Sequence, residues 1–376
     1  MKKIGFILTY KSGATVNRIL SMINVLYDYE IHIVGPIENF DNYKNFFKNK
    51  NITFHNVELN NNKNTKFFLI RYLKEFFYSF KCSKTLNNLN CDVEIISIPF
   101  ISLIITSRIF KNNSKKILDI RDLVWEYYDR SKIFQKIIFY FLKRIHLYFL
   151  SKYYNITLTN KFELNNVSKH LPNSNKIIIS NGISKLKFLD IQTKINQVPR
   201  KAKNQKIVIT YIGNVGLAQN LITFINVIKE YNKFEFRIVG NGNDYDNISN
   251  FITTNKIDNV DLIGRVKENE VIKYYLNTDI LYAKLEPKYY TAIPSKLYEY
   301  LSTGKPIIYS GKGAAVEFLK KFENIFIIDD NKININNFLN SSFQLNISEK
   351  NNRNIEIIEE NFIREKINLN LIKIIN

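Results

Sequence analysis

The sequence predicts an α/β fold of two doubly wound domains, each built on a parallel sheet. Three observations carry this expectation. Short apolar runs rich in β-branched residues alternate with helix-length segments from end to end, as parallel strands joined by crossover helices do. The alternation pauses at a polar, basic stretch, residues 190–206, and then restarts. Each half also holds a strand that runs straight into a glycine turn, at "ILTYKSGATVNRI" and at "YIGNVGLAQN". A chain of 376 residues is long enough for two separate cores.

In chain order, the first half places strands at "KIGFILT", "EIHIVG", "NITFHNV", "VEIISI", "KKILDI", "NITLT" and "KIIIS". Helices fall between several of them, notably from Ala14 to Tyr29 and from Lys132 to Tyr154. The stretch "DIQTKINQVPRKAKNQK" lacks periodicity and reads as a linker. Strands then resume at "KIVITYIG", "EFRIVG", "VDLIG", "DILYAK", "KPIIYS" and "NIFIID". The tail "NNRNIEIIEENFIREKINLNLIKIIN" has helical spacing and is expected to pack back across the molecule. The expected domains are residues 1–195 and 196–355, closed by a helical segment, 356–376. No repeat of solenoid period is present.

Composition narrows the partners. A hydrophobic content of 45% with 14% aromatic residues is that of a globular chain. The net charge of +20 predicts attraction to an anionic partner: nucleic acid, a phosphorylated substrate or acidic lipid. The abundance of asparagine and lysine reads partly as codon bias, which discounts some of that charge. Two cysteines and four scattered histidines have no zinc-ligand spacing, so no structural metal is expected and a reduced intracellular setting fits. The apolar run in "MKKIGFILTYKSG" breaks after Leu8 without a small-residue cleavage site, so it reads as a first strand and not a signal peptide. No run of 18 apolar residues occurs, so no membrane-spanning helix is expected. Residues 66–81 and 132–154 combine helical spacing with aromatic and basic side chains. That pattern fits a core-packed helix or one lying on an anionic lipid surface. No nucleic-acid-binding module carries the charge.

Ligands of open parallel sheets bind outside the carboxyl ends of strands, so the glycine turns are the first site candidates. Gly213 and Gly216 would let backbone amides approach an anion at a helix start, and Gly13 is their first-domain counterpart. "IVGNGNDYD" adds Gly240. None of these turns matches the dinucleotide fingerprint or the P-loop ending, and each also fits an ordinary strand-to-helix turn. Asp244 and Asp246 form an Asp-x-Asp that hard-oxygen chemistry could turn to a divalent cation, although acidic residues are also expected where a helix begins. In "IPSKLYEYLSTGKPIIYSG", residues 293–311, a helix starts at Pro294 or Ser295 and stops at Gly304. Leu297 and Leu301 make its buried side, while Lys296 and Glu299 share another face. Such a pair is either a surface ion pair or a site. A cation beside free amides suits a diphosphate, and a carboxylate one turn on can accept from a diol such as a ribose.

This last stretch resembles the nucleotide-sugar-binding helix of glycosyltransferase family 4, whose fold is GT-B. Glu299, Gly304 and Pro306 match the second glutamate of that family's E-x7-E motif and the G-x-P that follows. The "IPSK-YEY" variant and "GNVGLAQ" resemble a branch acting in bacterial surface-polysaccharide assembly, including N-acetylfucosamine-type transferases. "DIRDL" (119–123), "NVDLIGRV" (259–266) and "ENFIREKI" (360–367) match further landmarks, so the resemblance covers nearly the whole chain, most specifically 207–311. It implies two Rossmann-like domains facing a central cleft. It also implies a retaining, metal-independent transfer of a sugar, an N-acetylhexosamine, from a UDP-sugar to a lipid-linked saccharide. The implied setting is the inner face of the cell membrane, in the assembly of capsule, O-antigen lipopolysaccharide or exopolysaccharide, with no cofactor.

The resemblance also implies roles. The turn at Gly213, Asn214, Gly216 and Gln219, with Gly240, Ser295 and Lys296, would hold the donor diphosphate. Glu299 would bind the ribose, and backbone near Arg265 and Val266 the base. Arg121 and Asp122 would position acceptor or sugar without a covalent intermediate, unless they form only a strand-end ion pair. Four departures stand out. Thr291 occupies the first position of E-x7-E, Asn214 and Gln219 stand where many members have an arginine and a lysine, Arg121 replaces a histidine, and so does Ser97. These departures keep open a nucleotide-sugar 2-epimerase of the same architecture, a non-catalytic partner subunit, or a metal-dependent transferase built on Asp244 and Asp246.

Overall fold

A computed structural model describes residues 1–9, 14–36, 47, 51–58, 68–98, 101–110, 112–127, 133–195, 206–341 and 350–376. Its contacts fall into two compact units, Met1–Asn181 with Arg364–Asn376, and Gly182–Ile363.

In the first unit, the described residues form a seven-stranded sheet in the order β3-β2-β1-β4-β5-β6-β7. The strands are β1 (Lys3–Ile7), β2 (Glu30–Gly35), β3 (Ile52–Asn56), β4 (Val93–Ile98), β5 (Lys115–Ile120), β6 (Asn155–Leu158) and β7 (Asn175–Ile178). Every pairing is parallel. The helices α1 (Ala14–Ile23), α2 (Phe68–Asn88), α3 (Ser102–Ile109), α4 (Ile133–Leu150) and α5 (Lys161–His170) connect them. Sandwiching between helices explains why β4 is buried at every position and reads as mostly apolar on both faces. Both cysteines sit in this core as free thiols, and burial pushes each up to about 12.

The second unit opens with α6 (Lys185–Ile195) and repeats the scheme with a parallel six-stranded sheet, again among the described residues, in the order β10-β9-β8-β11-β12-β13. Its strands are β8 (Ile207–Ile212), β9 (Phe234–Val239), β10 (Val260–Gly264), β11 (Ile280–Lys284), β12 (Ile307–Ser310) and β13 (Ile325–Ile328). The later helices are α7 (Ile222–Ile228), α8 (Tyr245–Thr254), α9 (Val271–Leu276), α10 (Lys296–Ser302), α11 (Ala314–Leu319), α12 (Lys332–Ser341) and α13 (Asn352–Asn361). Strand order reverses between β8 and β11, the place where such a sheet leaves a crevice for a ligand.

All thirteen runs read from the sequence are strands, each within two residues of its expected ends. The unit boundaries differ from the expected ones. The sequence places residues 182–195 in the first domain, with 190–195 as linker, yet α6 packs on α9 and α10 of the second unit. Phe188 and Ile191, three apart on its inner face, are buried in that unit's core. The rest of the expected linker up to 205 lies outside the described residues. The tail also divides: α13 stays against α10, while α14 (Arg364–Asn368) packs on α1 and leads to α15 (Asn370–Ile375) in the first unit. A hydrogen bond from Asn368 Nδ2 to Ser21 Oγ, 2.9 Å, ties this end down.

Candidate functional site

The crevice of the second unit is built from two glycine turns and one short helix. Gly213 follows β8 at φ +142° and Gly240 follows β9 at φ +146°, where only glycine is comfortable. A Cβ on Gly240 would lie 1.8 Å from the Gly213 carbonyl oxygen, and one on Gly213 would lie 2.7 Å from Lys296 Nζ. The glycines therefore make room for each other and for the lysine. Their amides are largely committed elsewhere. Gly213 N–H donates to Val239 O (2.9 Å), Gly240 N–H to Gly264 O (2.8 Å) and Gly216 N–H to the Gln219 side-chain oxygen (3.2 Å). The side chains of Asn214 and Gln219, both expected at the donor site, bond to each other at 3.3 Å. The Asn214 backbone N–H has no intramolecular acceptor among the described residues.

The helix α10 supplies the charge. Leu297, Tyr298, Tyr300, Leu301 and Ser302 are buried, so more of it faces protein than the spacing of two leucines implied. The Tyr300 hydroxyl accepts from Ile212 N–H (2.8 Å) and lies within bonding distance of Ile212 O (3.1 Å) and Tyr282 O (3.3 Å). This pins the helix to the ends of β8 and β11 and sets Lys296, one turn earlier, beneath the Gly213 turn. Lys296 Nζ lies 3.6 Å from the centre of the Tyr211 ring. It is buried and has no hydrogen-bond partner among the described residues. Burial pulls its ammonium down to about 7, with Glu299 opposing. A ring face returns only about 0.5–2 kcal/mol to a cation, less than the several kcal/mol lost on leaving water without an acceptor.

Glu299 does not pair with Lys296. Its Oε2 accepts from the Tyr275 hydroxyl at 2.7 Å and from Lys187 Nζ at 2.8 Å. Lys187 sits in the first turn of α6, inside the stretch expected to belong to the other domain, and Tyr275 is the second partner that no sequence motif marked. Ser295 precedes the helix, exposed and making no side-chain cap bond. Arg265 is exposed just beyond β10, and Val266 packs half-buried against the core. Thr291 is fully buried. A second polar cluster lies at the carboxyl end of β11. There Lys284 Nζ pairs with Asp330 and lies 3.5 Å from Glu286, whose Oε1 accepts from Asn220 at 3.1 Å. Asp244 occupies the position before α8, where its Oδ1 accepts from Asn247 at 3.0 Å, and Asp246 lies in the first helical turn. These are helix-start roles. No group of three His, Cys, Asp or Glu side chains able to hold a metal occurs among the described residues.

In the first unit Gly13 lies outside the described residues. Two buried charge pairs lie in this sheet that no sequence motif marked, Lys116 with Glu94 at 2.6 Å and a second one built on Asp119. In the second, Arg18 holds Asp119 by two bonds of 3.0 and 2.7 Å, reinforced by the hydroxyls of Ser97 (2.8 Å) and Thr157 (2.7 Å). Ser97 is thus a donor to a carboxylate within the sheet. Asp122 lies just past β5, where burial pushes its carboxyl up to about 6 against the opposing charges of Arg121 and Arg18. Close behind, burial and the charge of Asp122 raise Glu163 well above the carboxylate range. Its Oε2 accepts from the amide and hydroxyl of Thr159, both at 2.8 Å.

Residues 192–356 match the family model described as glycosyl transferases group 1, and this span lies wholly in the second unit. No curated protein matches the chain. Among solved structures, a glycosyltransferase from Rickettsia africae ESF-5 is 13% identical with a TM-score of 0.68, covering 100% of this chain and 97% of its own. Sucrose-phosphate synthase from Thermosynechococcus elongatus is 12% identical with a TM-score of 0.73, over 99% and 98%. Anabaena Alr3699/HepE, solved with UDP and glucose, is 12% identical with a TM-score of 0.70, over 99% of each. The fold is the two-domain, Rossmann-like GT-B arrangement. Together with the family match, it supports a glycosyltransferase.

Proposed function

We propose that this protein is a retaining glycosyltransferase that moves a sugar, an N-acetylhexosamine, from a UDP-sugar to a hydroxyl of a lipid-linked saccharide in bacterial surface-polysaccharide assembly. The observation that carries the reading is the buried, unpartnered Lys296 amine beside the Gly213 turn, with Glu299 one helical turn along. Lys296 and the Asn214 amide face the diphosphate, Glu299 accepts from the ribose, and backbone at Arg265 and Val266 meets the base. The charge that develops on the leaving diphosphate is then met by a cation and an amide already in place, so the reaction calls for no metal. Asp122 and Arg121 position the acceptor or the sugar, and the leaving phosphate takes the acceptor's proton. HepE binding UDP and glucose supports a nucleotide-sugar donor here. In ligand-observed NMR, UDP and a UDP-sugar are expected to bind and GDP to bind less well. Absence of nucleotide binding to folded protein would sink the transferase in favour of a non-catalytic subunit.

The acceptor side rests on a surface of the first unit. Ile70, Leu73 and Phe77 on α2, and Ile137, Phe141, Ile145 and Tyr148 on α4, are exposed at helical spacing. The two helices meet where Tyr72 and His146 lie 3.3 Å apart. Lys74, Lys81, Lys136 and Arg144 are exposed on the same helices. Residues 66, 67 and 132 of the expected segments lie outside the described residues. No described helix is long and apolar enough to cross a membrane. Apolar stripes flanked by cations bind an anionic bilayer by burying the stripe at the headgroup level. The protein is therefore expected to sediment with vesicles containing phosphatidylglycerol and not with pure phosphatidylcholine ones. Phe77→Ser with Phe141→Ser should cut that binding at least tenfold, and unchanged sedimentation rejects this docking face.

A further inference from the structure

The surroundings of Lys296 can be named element by element. The Tyr211 ring of β8 lies against its amine. On its own helix, Glu299 lies a turn further on and is the charge that acts on it. From α6 comes Lys187, from α9 the Tyr275 hydroxyl, and from the turn before α9 Glu268, 3.8 Å from Lys187. The glycine turn contributes only the neutral Asn214 and Gln219. Glu299 is already shared between Lys187 and Tyr275, and among the described residues Lys296 Nζ has no hydrogen-bond acceptor.

We propose that a nucleotide diphosphate enters this site together with a proton, Lys296 being a neutral amine in the free protein and an ammonium in the complex. The inference rests on the nucleotide-diphosphate reading of the site. The proton comes from solvent and joins the Nζ lone pair, and no bond of the ligand is made or broken. A buried cation without an acceptor is disfavoured, and the diphosphate supplies both the acceptor oxygens and the counter-charge. The sign of the pH effect follows. The ligand binds the protonated form, so affinity falls as pH rises and the amine form fills in the free protein. With the free amine titrating at about 7, UDP should bind roughly 50-fold more weakly at pH 9 than at pH 7.

The decisive experiment is calorimetric titration of the whole chain with UDP at pH 8, where the phosphates of UDP are fully ionised, in buffers of different ionisation enthalpy. Uptake of close to one proton per UDP is expected, and Lys296→Met should bind more weakly with no uptake. A carbon-13 label at lysine Cε reads the same titration in wild type, whatever the variant's fold. UDP binding without proton exchange overturns the inference and leaves the nucleotide reading standing. Undiminished uptake by folded Lys296→Met assigns the proton elsewhere and overturns it equally. No UDP binding at all sinks the nucleotide reading, and the inference with it.

Discussion

Asp119→Asn is expected to cost the first unit about 3–5 kcal/mol, because it leaves one half of a buried ion pair without its partner. Arg18 and Asp119 are 5% and 0% exposed, so neither charge has water to fall back on. Burial by itself pushes the Asp119 carboxyl up, yet the Arg18 charge, its hydrogen bonds and the hydroxyls of Thr157 and Ser97 together hold it below the usual range. A depressed carboxyl gives stability that is present above the unfolded value, near about 4, and lost as pH falls through the folded one. The gap between wild type and variant should therefore narrow in acid. The measurement can be confined to this unit. Trp125 is the single tryptophan, buried in the first-unit core, so its fluorescence during urea unfolding follows that unit alone. A Trp125 transition within about 1 kcal/mol of wild type at pH 7 would mean that the pair is not held as described.

The strands were legible in the sequence because helices cover both faces of each sheet. In a strand such as Val93–Ile98 every position is buried, so apolar residues fill both faces, and the two polar ones, Glu94 and Ser97, are paired inside the protein with Lys116 and Asp119. The unit boundaries were not legible, for a reason visible in α6. Only Phe188 and Ile191 are buried on that helix, so its sequence looks like the polar linker that follows it. The tail fails in the opposite way. Helical spacing continues through Phe362 and Ile363, where the chain passes from one unit to the other, and periodicity does not record which core a helix serves.

The site divides similarly. Gly213 and Gly240 could be found because backbone at such φ values demands glycine, and Lys296 and Glu299 because a charged pair on a short helix between strands is conspicuous. Their true partners could not. Lys187 lies 112 positions before Glu299 (299 − 187) and Tyr275 lies 24 before it, so the pairing is a product of tertiary packing. Asp119 was hidden in plain view within "DIRDL". It sits inside β5, where a strand residue is taken as structural, and its arginine comes from α1, 101 residues away. Arg121 and Asp122, two and three positions further on, are the residues that the resemblance marks. Thr291 illustrates a residue whose place in a motif said nothing about access, since the fold buries it.

Glu299→Ala should weaken UDP-sugar binding by about a hundredfold or more. Each hydrogen bond from a ribose hydroxyl to a carboxylate contributes about 1.5–3 kcal/mol, and every 1.4 kcal/mol is tenfold. Two such bonds reach that figure before any loss of geometry. The alanine variant also strips Tyr275, itself 1% exposed, of its acceptor, at a cost in stability of about 1–3 kcal/mol. Glu299→Gln separates the two effects, because an amide oxygen still accepts from Tyr275 while the charge on the diol is gone. It should stay as stable as wild type within about 1 kcal/mol and still bind at least tenfold more weakly. Tyr275→Phe makes the converse change, removing a support that touches no ligand, and should weaken binding only a few-fold. If folded Glu299→Gln bound the UDP-sugar as tightly as wild type, Glu299 would be a partner for Lys187 and nothing more. The ribose would then have to be held from another quarter of the crevice, where Glu286, two residues past β11, is tied to the same turn by its amide, 2.8 Å from Ala218 O.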